Sequence, residues 1–204
     1  MLFRSLSPPA QSLTQLSVPP DSTSSLSETL DAASSGQGVC SLDTIQQEME
    51  RLPGGTRRLA VQLRLAIDPN WIWAVLTDYD RLSQFIPNLQ TSRLLWRRGA
   101  VVGLEQEGAQ RFMGMQFKAR VQLELTEHPE ARQLTFTMLK GDFRRFDGVW
   151  TIGSDGESTT LLYELTVQGC VGMPIGLIEQ RLQEDLAANL RAVQAEAQRR
   201  QATA

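Results

Sequence analysis

The C-terminal stretch over residues 174–199 constrains the fold more than any other part of the chain. Its apolar residues recur at steps of three and four, the spacing of one stripe along a helix: Ile175, Ile178, Leu182, Leu186, Leu190, Val193 and Ala197. Pro174 fits the first turn, where its missing N–H is not needed. The other face carries Glu, Arg and Gln side chains, and we expect water to cover it. Such a helix cannot bury its stripe alone, so another element must cover it.

Strand-like segments upstream offer the surface that this helix needs. Apolar–polar alternation, clearest in the middle of the series, marks strand candidates at residues 58–67, 89–97, 101–111, 116–127, 132–139, 143–152 and 159–168. The last six are joined by short turns, which predicts an antiparallel meander with one face buried. Residues 70–78 and 80–85 are predicted to form two short helices. Residues 43–52 fit a short helix or a strand, and the turn Pro53-Gly54-Gly55 favours a hairpin.

The N-terminal 41 residues differ in composition from the rest of the chain. They are rich in Ser, Pro, Thr, Gln and Gly, with scattered single leucines. Such a segment buries too little apolar surface to offset the entropy of ordering, so we expect residues 1–41 to be a disordered low-complexity tail. A plastid or mitochondrial transit peptide is the alternative, but Arg4 is the only basic residue there and acidic residues interrupt the segment. We expect residues 42–200 to form the domain and to fold without the tail.

Charge and cysteine content exclude several classes of protein. The chain has 20 basic and 23 acidic residues, so it lacks the concentrated positive charge of a nucleic-acid-binding surface. No apolar run approaches the roughly 20 residues that span a bilayer. Two cysteines and one histidine are too few for a Cys/His zinc site without carboxylates, and we expect no metal and no cofactor. Cys40 and Cys170 read as free thiols, which favours a cytoplasmic location, or a plastid if the tail is a transit peptide.

Three motifs together resemble a known family. They are residues 73–82 (WAVLTDYDRL) followed by FIPN at 85–88, residues 141–146 (GDFRRF) leading to Trp150, and the C-terminal helix. Over about residues 55–199 the chain resembles the START-like (SRPBCC) superfamily, in its polyketide cyclase/dehydrase and coenzyme Q-binding START-domain branch. The resemblance implies an α+β helix-grip fold. In it, a curved antiparallel sheet of about seven strands wraps a long C-terminal helix, and two short helices follow the first strand.

The same resemblance implies a cavity between the sheet and the helix. The residues expected to form its wall are Phe117, Val121, Phe136, Met138, Trp150, Tyr163, Leu182 and Leu186. Without the resemblance, an ordinary core is the favoured interpretation of the aromatic members of this set. The residues expected at the mouth are Phe112, Met115, Lys140, Phe143, Met173 and Ile175. Because Arg144 and Arg145 add positive charge there, we expect transient contact with an anionic membrane; the alternative is a set of ordinary hairpin turns.

Acid–base catalysis needs a titratable group inside the cavity, within reach of a substrate. Strand parity puts no His, Asp or Glu on the inner face, and Glu105 and Glu107 are expected to face water. Cys170 and His128 fall at opposite ends of the sheet, roughly 25–30 Å apart at about 3.4 Å per residue. We therefore predict no catalytic residue.

These observations predict a protein that binds and transports a hydrophobic small molecule, such as a quinone, isoprenoid, pigment precursor or lipid. The first alternative is a polyketide cyclase or dehydratase that acts by positioning its substrate. A second is a protein-interaction module whose cavity is filled by side chains. The identity of the ligand and the oligomeric state stay open.

Overall fold

A computed structural model describes residues 42–112, 115–170 and 175–204, with the side chains of residues 110–112, 115–117, 175–178 and 180–181 left out. The expectations for residues 1–41 and for Met173 therefore lie outside the described residues. The elements are β1 (Ile45–Arg51), β2 (Thr56–Leu65), α1 (Pro69–Leu76), β3 (Leu89–Arg98), β4 (Val101–Phe112), β5 (Met115–His128), β6 (Gln133–Gly141), β7 (Phe143–Ser154), β8 (Thr159–Gly169) and α2 (Ile175–Ala202).

The described strands form a single antiparallel sheet of eight, in the order β1-β2-β8-β7-β6-β5-β4-β3. The expected curved sheet and long C-terminal helix are confirmed. The expected count of about seven strands was one short, because residues 43–52 contain strand β1 and not a helix. Gly54 and Gly55 adopt the positive φ angles that the β1–β2 hairpin requires. The two short helical segments consequently follow the second strand, and the later one, Tyr79–Gln84, is a 3₁₀ turn.

The core lies between α2 and the face of the sheet that alternation predicted to be buried, here called the concave face. On β2, Leu59, Val61, Leu63 and Leu65 are all buried. The C-terminal half of α2 closes onto them with the predicted stripe: Leu186, Leu190, Val193 and Ala197 are buried as well. Backbone approaches of α2 are concentrated on α1, β2 and β8. Each large apolar side chain buried in this way contributes about 1.5–3 kcal/mol.

The polar face of α2 is not simply solvated, contrary to expectation. Near the start of the helix, Glu179 forms ion pairs with Arg51 and Arg57. Further along, the buried Gln194 donates a hydrogen bond to Asp43. These partners lie on or beside β1 and β2, so polar contacts fix this face of the helix to one edge of the sheet.

A second set of contacts joins α2 to the opposite edge of the sheet. Asn88, which immediately precedes β3, donates a hydrogen bond to Asp185 of α2 over 3.1 Å. Strands β1 and β3 are the two edge strands. Because one helix is bonded beside both edges, the sheet must curl around it.

One glycine allows the middle of the sheet to pack closely. Gly148 of β7 lies in register between Phe136 of β6 and Leu165 of β8. A Cβ atom at this position would lie 2.1 Å from the backbone oxygen of Glu164 and 2.7 Å from Cζ of Phe136. The Phe136 ring therefore occupies the space above Gly148 that a side chain would need.

We expect Gly148→Ala to lower the free energy of unfolding by about 1–3 kcal/mol, because the backbone of β8 or the Phe136 ring must move. Urea denaturation followed by circular dichroism measures this change. Gly153→Ala in the same strand is the matched control, since its Cβ would meet only Thr160 Cβ at 3.8 Å. Equal stabilities of the two variants would contradict the prediction.

Candidate functional site

Five aromatic rings form a continuous series on the concave face, here called the aromatic band. Ring-centroid distances are 5.3 Å for Phe143–Phe146, 5.8 Å for Phe146–Phe136, 6.1 Å for Phe136–Tyr163 and 3.9 Å for Tyr163–Trp150. The last two rings are stacked, with 5° between their planes. The band runs from the β6–β7 turn toward the middle of the sheet.

Strand register explains why these rings share a face. Trp150 lies directly opposite Leu134 on β6 and Tyr163 on β8, so the three side chains point the same way. Phe143 and Phe146 are three residues apart and would fall on opposite faces of a regular strand. A register shift between Phe143 and Arg145 places Phe143 opposite Gly169 and returns its ring to the concave face.

Exposure along the concave face is uneven. At the end near the C-terminus of α2, aliphatic side chains such as Leu161 and Leu190 are fully buried. In the band, Phe136 and Tyr163 are buried, but Phe143, Phe146 and Trp150 are only partly buried. Leu182, in the first half of α2, is also partly buried. The concave face is therefore fully buried at one end, whereas in the band Phe143, Phe146 and Trp150 keep partial exposure even though Leu165 and Val167 beside them are buried.

The hydroxyl of Tyr163 is the polar group within the band. The Tyr163 side chain is 7% exposed, and its hydroxyl has no hydrogen-bond partner among the described residues. Burial raises the pKa of this phenol well above its usual value, so it is a neutral donor. No fully enclosed side-chain N or O atom of the described residues lacks a partner, so the Tyr163 oxygen keeps contact with open space. A bound molecule with a carbonyl or hydroxyl oxygen can therefore form a hydrogen bond with it.

The structure brings most of the predicted wall residues together. Val121, Phe136, Tyr163 and Leu186 belong to the buried core, and Met138, Trp150 and Leu182 pack against it. Among the predicted mouth residues, Phe143 packs against the same core, whereas Lys140 is exposed. The side chains of Phe112, Met115, Phe117 and Ile175 lie outside the described residues, as does Met173.

Two features of this region were missed by sequence reasoning. Phe146 joins the two halves of the band; alternation places it on the same face as Trp150, but it was not included among the predicted site residues. The second feature is the ion pair between Arg57 and Glu179, whose side chains are 12% and 13% exposed and 2.5 Å apart. Arg57 lies opposite Val167, beside the band. No sequence signal could reveal this pair, because its partners are far apart in the chain and meet only after the helix has packed.

The candidate catalytic groups are not assembled into a site. Glu105 and Glu107 lie opposite Gln122 and Arg120, on the convex face. His128 lies near Thr135 at one end of the sheet, while the Cys170 thiol contacts the Asp142 carbonyl at the other. In the described part of the chain, no cluster of three or more His, Cys, Asp or Glu side chains could hold a metal.

The expectation that no carboxylate lies on the inner face was wrong for Glu127. It sits opposite Leu134 and accepts a 2.6 Å hydrogen bond from the Tyr79 hydroxyl. Burial would raise its pKa, but hydrogen bonds from Arg97 and Tyr79 outweigh burial and lower it. Glu127 is therefore an ionised carboxylate already occupied by two donors, at the closed end of the core. This arrangement does not suit a general base.

A groove of about 520 Å³ on the convex face is a separate feature. It is polar, with Thr135, Thr137 and Thr166 in its lining. Two ion pairs, Arg58–Glu164 and Arg145–Asp147, occupy its walls. Its charged groups are thus already paired, and it lies on the other side of the sheet from the aromatic band.

Comparison with known proteins defines the family. The family described as polyketide cyclase / dehydrase and lipid transport matches residues 65–194, which is more than half of the 204 residues. The chain belongs to this family. No curated protein matches the chain. Among the helices of the described residues, none is long and apolar enough to cross a membrane.

Solved structures share the helix-grip architecture at low sequence identity. A STAR-related lipid transfer protein from Xanthomonas axonopodis has a TM-score of 0.68 at 16% identity, covering 78% of this chain and 96% of that one. The Zhui aromatase/cyclase from Streptomyces sp. R1128 has a TM-score of 0.62 at 18% identity, with coverages of 71% and 95%. A START superfamily protein from Mycobacterium smegmatis has a TM-score of 0.59 at 17% identity, covering 70% of this chain and 97% of that one. At these identities the likeness shows the START-like fold alone.

The ion pairs of Glu179 with Arg51 and Arg57 predict how the stability of the folded protein depends on pH. Hydrogen bonds and charge from Arg51 and Arg57 lower the pKa of Glu179 to about 2, from 4.5. Because the folded-state pKa is depressed, its stabilising effect is fully present above about pH 4.5 and is lost as the pH falls through about 2. We expect Glu179→Gln to be less stable than the wild type at pH 7, with a difference that shrinks toward pH 2.

Urea denaturation at a series of pH values measures that difference. Glu130→Gln, at an exposed residue of the β5–β6 turn, is the control and should follow the wild type. A Glu179→Gln deficit that is the same at every pH would show that the carboxylate charge does not stabilise α2.

Proposed function

We propose that this protein binds and carries an apolar small molecule in the space between the concave face and the first half of α2. The observation that carries the proposal is the partial exposure of Phe143, Phe146 and Trp150 in the aromatic band, beside a Tyr163 hydroxyl that has no hydrogen-bond partner among the described residues. A solidly packed core would cover these rings and pair that hydroxyl. A guest molecule in contact with the band would do both.

The residues proposed to contact the bound molecule are those predicted from the sequence. The wall is assigned to Phe117, Val121, Phe136, Met138, Trp150, Tyr163, Leu182 and Leu186, and the mouth to Phe112, Met115, Lys140, Phe143, Met173 and Ile175. Binding would come from apolar burial at about 25 cal/mol per Å², so no ion pair with the guest is required. Quinones, isoprenoids, pigment precursors and lipids all satisfy this requirement.

Transport is favoured over catalysis because of how the described acidic groups are arranged. Glu127, the carboxylate on the inner face, is bound by Tyr79 and Arg97. Tyr163 is a neutral phenol whose pKa is raised by burial, which suits hydrogen bonding and not proton abstraction. A cyclase that only positions its substrate is the remaining alternative, and it predicts turnover of a reactive polyketide by the purified protein.

Extraction of the full-length protein from its native host, followed by mass spectrometry, tests the proposal. We expect a reproducible apolar compound that can be removed and rebound saturably. Trp150→Ala should weaken rebinding by roughly tenfold through loss of wall contact. Trp96→Ala is the matched control, because the Trp96 ring lies over Gly103 on the convex face. A protein that is always empty and shows no saturable uptake would remove the proposal.

A transient membrane contact is the proposed loading step, and the cytoplasmic side of a membrane is the proposed location of the carrier. The β6–β7 hairpin carries Leu139, which is 59% exposed, next to the exposed Lys140 and Arg144. Neither cation has an ion-pair partner among the described residues. Each Lys or Arg held near an anionic surface contributes about 1 kcal/mol. The hairpin thus combines an apolar tip with positive charge at the proposed mouth.

Sedimentation with vesicles tests this contact. We expect binding to vesicles that contain phosphatidylserine and little binding to pure phosphatidylcholine. The charge reversals Lys140→Glu and Arg144→Glu, and the substitution Leu139→Ser, should each reduce binding to the phosphatidylserine vesicles. Leu95→Ser is the control, since Leu95 is 39% exposed on β3, away from the hairpin. Equal losses for Leu95→Ser and Leu139→Ser, or binding that ignores lipid charge, would argue against a specific contact.

A further inference from the structure

The two halves of α2 are held to the sheet by different kinds of contact. Among the described side chains of the helix, the fully buried ones begin at Leu186. Over residues 179–185, here called the helix start, Leu182 is only partly buried. The Gln47 side chain on β1 donates a 3.2 Å hydrogen bond to the Gln183 carbonyl there. Because polar contacts near water hold less firmly than apolar burial, the helix start is the part of α2 that separates most readily from the sheet.

Glu179 supplies the charged contact of the helix start, and its two partners differ in exposure. Arg57 is 12% exposed, lies 2.5 Å from the carboxylate and also donates a hydrogen bond to the Thr56 carbonyl. Arg51, the last residue of β1, is 69% exposed and lies 2.8 Å from the carboxylate. An exposed ion pair stabilises a protein little, because water and salt screen it. Arg51 is therefore the partner that can exchange Glu179 for another anion.

Arg51 lies at the same end of the sheet as the β6–β7 hairpin that we propose to contact a membrane. The β1–β2 turn follows Arg51, and Gln168 near the end of β8 donates a 2.7 Å hydrogen bond to the Gly54 carbonyl in that turn. The next residue of β8, Gly169, lies opposite Phe143, where the second strand of the hairpin begins. A surface that contacts the hairpin therefore also comes close to Arg51.

The charge of this group of side chains favours a further anion. Two arginines and one carboxylate carry a net charge of +1, so an anionic surface attracts them. The phosphate or carboxylate of a lipid headgroup accepts hydrogen bonds from the same guanidinium N–H groups that now bind Glu179.

We propose that Arg51 binds the anionic headgroup of a membrane lipid and that this exchange frees the helix start. Glu179 then keeps Arg57 alone, and residues 179–185 separate from β1 more often. This inference rests on the proposed membrane contact and adds its consequence: an anionic surface opens the edge of the proposed binding space, so the apolar molecule is loaded at the membrane.

Hydrogen–deuterium exchange of the full-length protein, read by mass spectrometry on peptides that cover residues 179–185, tests the inference. We expect vesicles that contain phosphatidylserine to raise the exchange rate of the helix start by roughly two- to fivefold, since one exposed ion pair is lost. Pure phosphatidylcholine vesicles, and inorganic phosphate at the same ionic strength, should leave the rate unchanged, because neither concentrates anionic headgroups beside Arg51.

Variants of Arg51 identify the exchanging residue. Arg51→Gln should show faster exchange of the helix start without lipid and no further response to phosphatidylserine, whereas Arg51→Lys, which keeps the charge, should keep the response. Arg93→Gln is the matched control and should respond like the wild type, since Arg93 is 66% exposed in an ion pair with Glu105 on the convex face. Each protein is measured at a lipid concentration at which sedimentation shows it to be bound.

The outcomes separate this inference from the proposed membrane contact. If the protein sediments with phosphatidylserine vesicles but the exchange of residues 179–185 is unchanged or slower, or if Arg51→Gln still responds, the inference is wrong while the membrane contact stands. If inorganic phosphate alone produces the full increase, the ligand is a soluble anion and the lipid assignment is wrong. If the protein does not sediment with the vesicles, the membrane contact and this inference both fail.

Discussion

The contact between α2 and the curved sheet is the interaction on which the rest of the structure depends. Half of the helix is held by apolar burial, with Leu190, Val193 and Ala197 fully inaccessible. On its polar face, Glu179 and Gln194 bind residues beside one edge of the sheet. Asp185 of the same helix accepts a hydrogen bond from Asn88, which lies beside the other edge. A helix attached at both edges can curve the sheet without filling its centre. The proposed binding site depends on that geometry.

The described charged side chains of the concave face lie toward its two ends, where each is paired with an oppositely charged group. At the closed end, Glu127 is held by Arg97 and Tyr79. There, Arg200 in the C-terminal turn of α2 pairs with Asp78, which follows α1. At the other end, Glu179 is held by two arginines. Among the described residues, the aromatic band lies between these pairs, and its polar group is the neutral Tyr163 hydroxyl. This arrangement suits recognition by shape, ring stacking and a single hydrogen bond.

Membership of the polyketide cyclase / dehydrase and lipid transport family leaves the chemistry to the individual site, because the structural relatives include both a lipid transfer protein and an aromatase/cyclase. Here the distinction rests on particular residues. The carboxylate on the inner face is occupied by donors, and the buried phenol is held neutral. Both features favour holding a molecule over transforming it.

The sequence alone determined which elements form and which faces they bury. Period-two alternation on β2 and β5 to β8, and the three-and-four spacing on α2, report local side-chain direction, which is why most of the wall residues were predictable. Other features were decided only by tertiary structure. The bulge at Phe143 and the glycine beneath Phe136 depend on neighbouring strands, and β1 became a strand because β2 offered it an edge. The ion pairs of Glu179 with Arg51 and Arg57, and the hydrogen bonds of Glu127 with Tyr79 and Arg97, join residues distant in the chain. Pairing of that kind is set by how packed elements meet, and no local pattern encodes it.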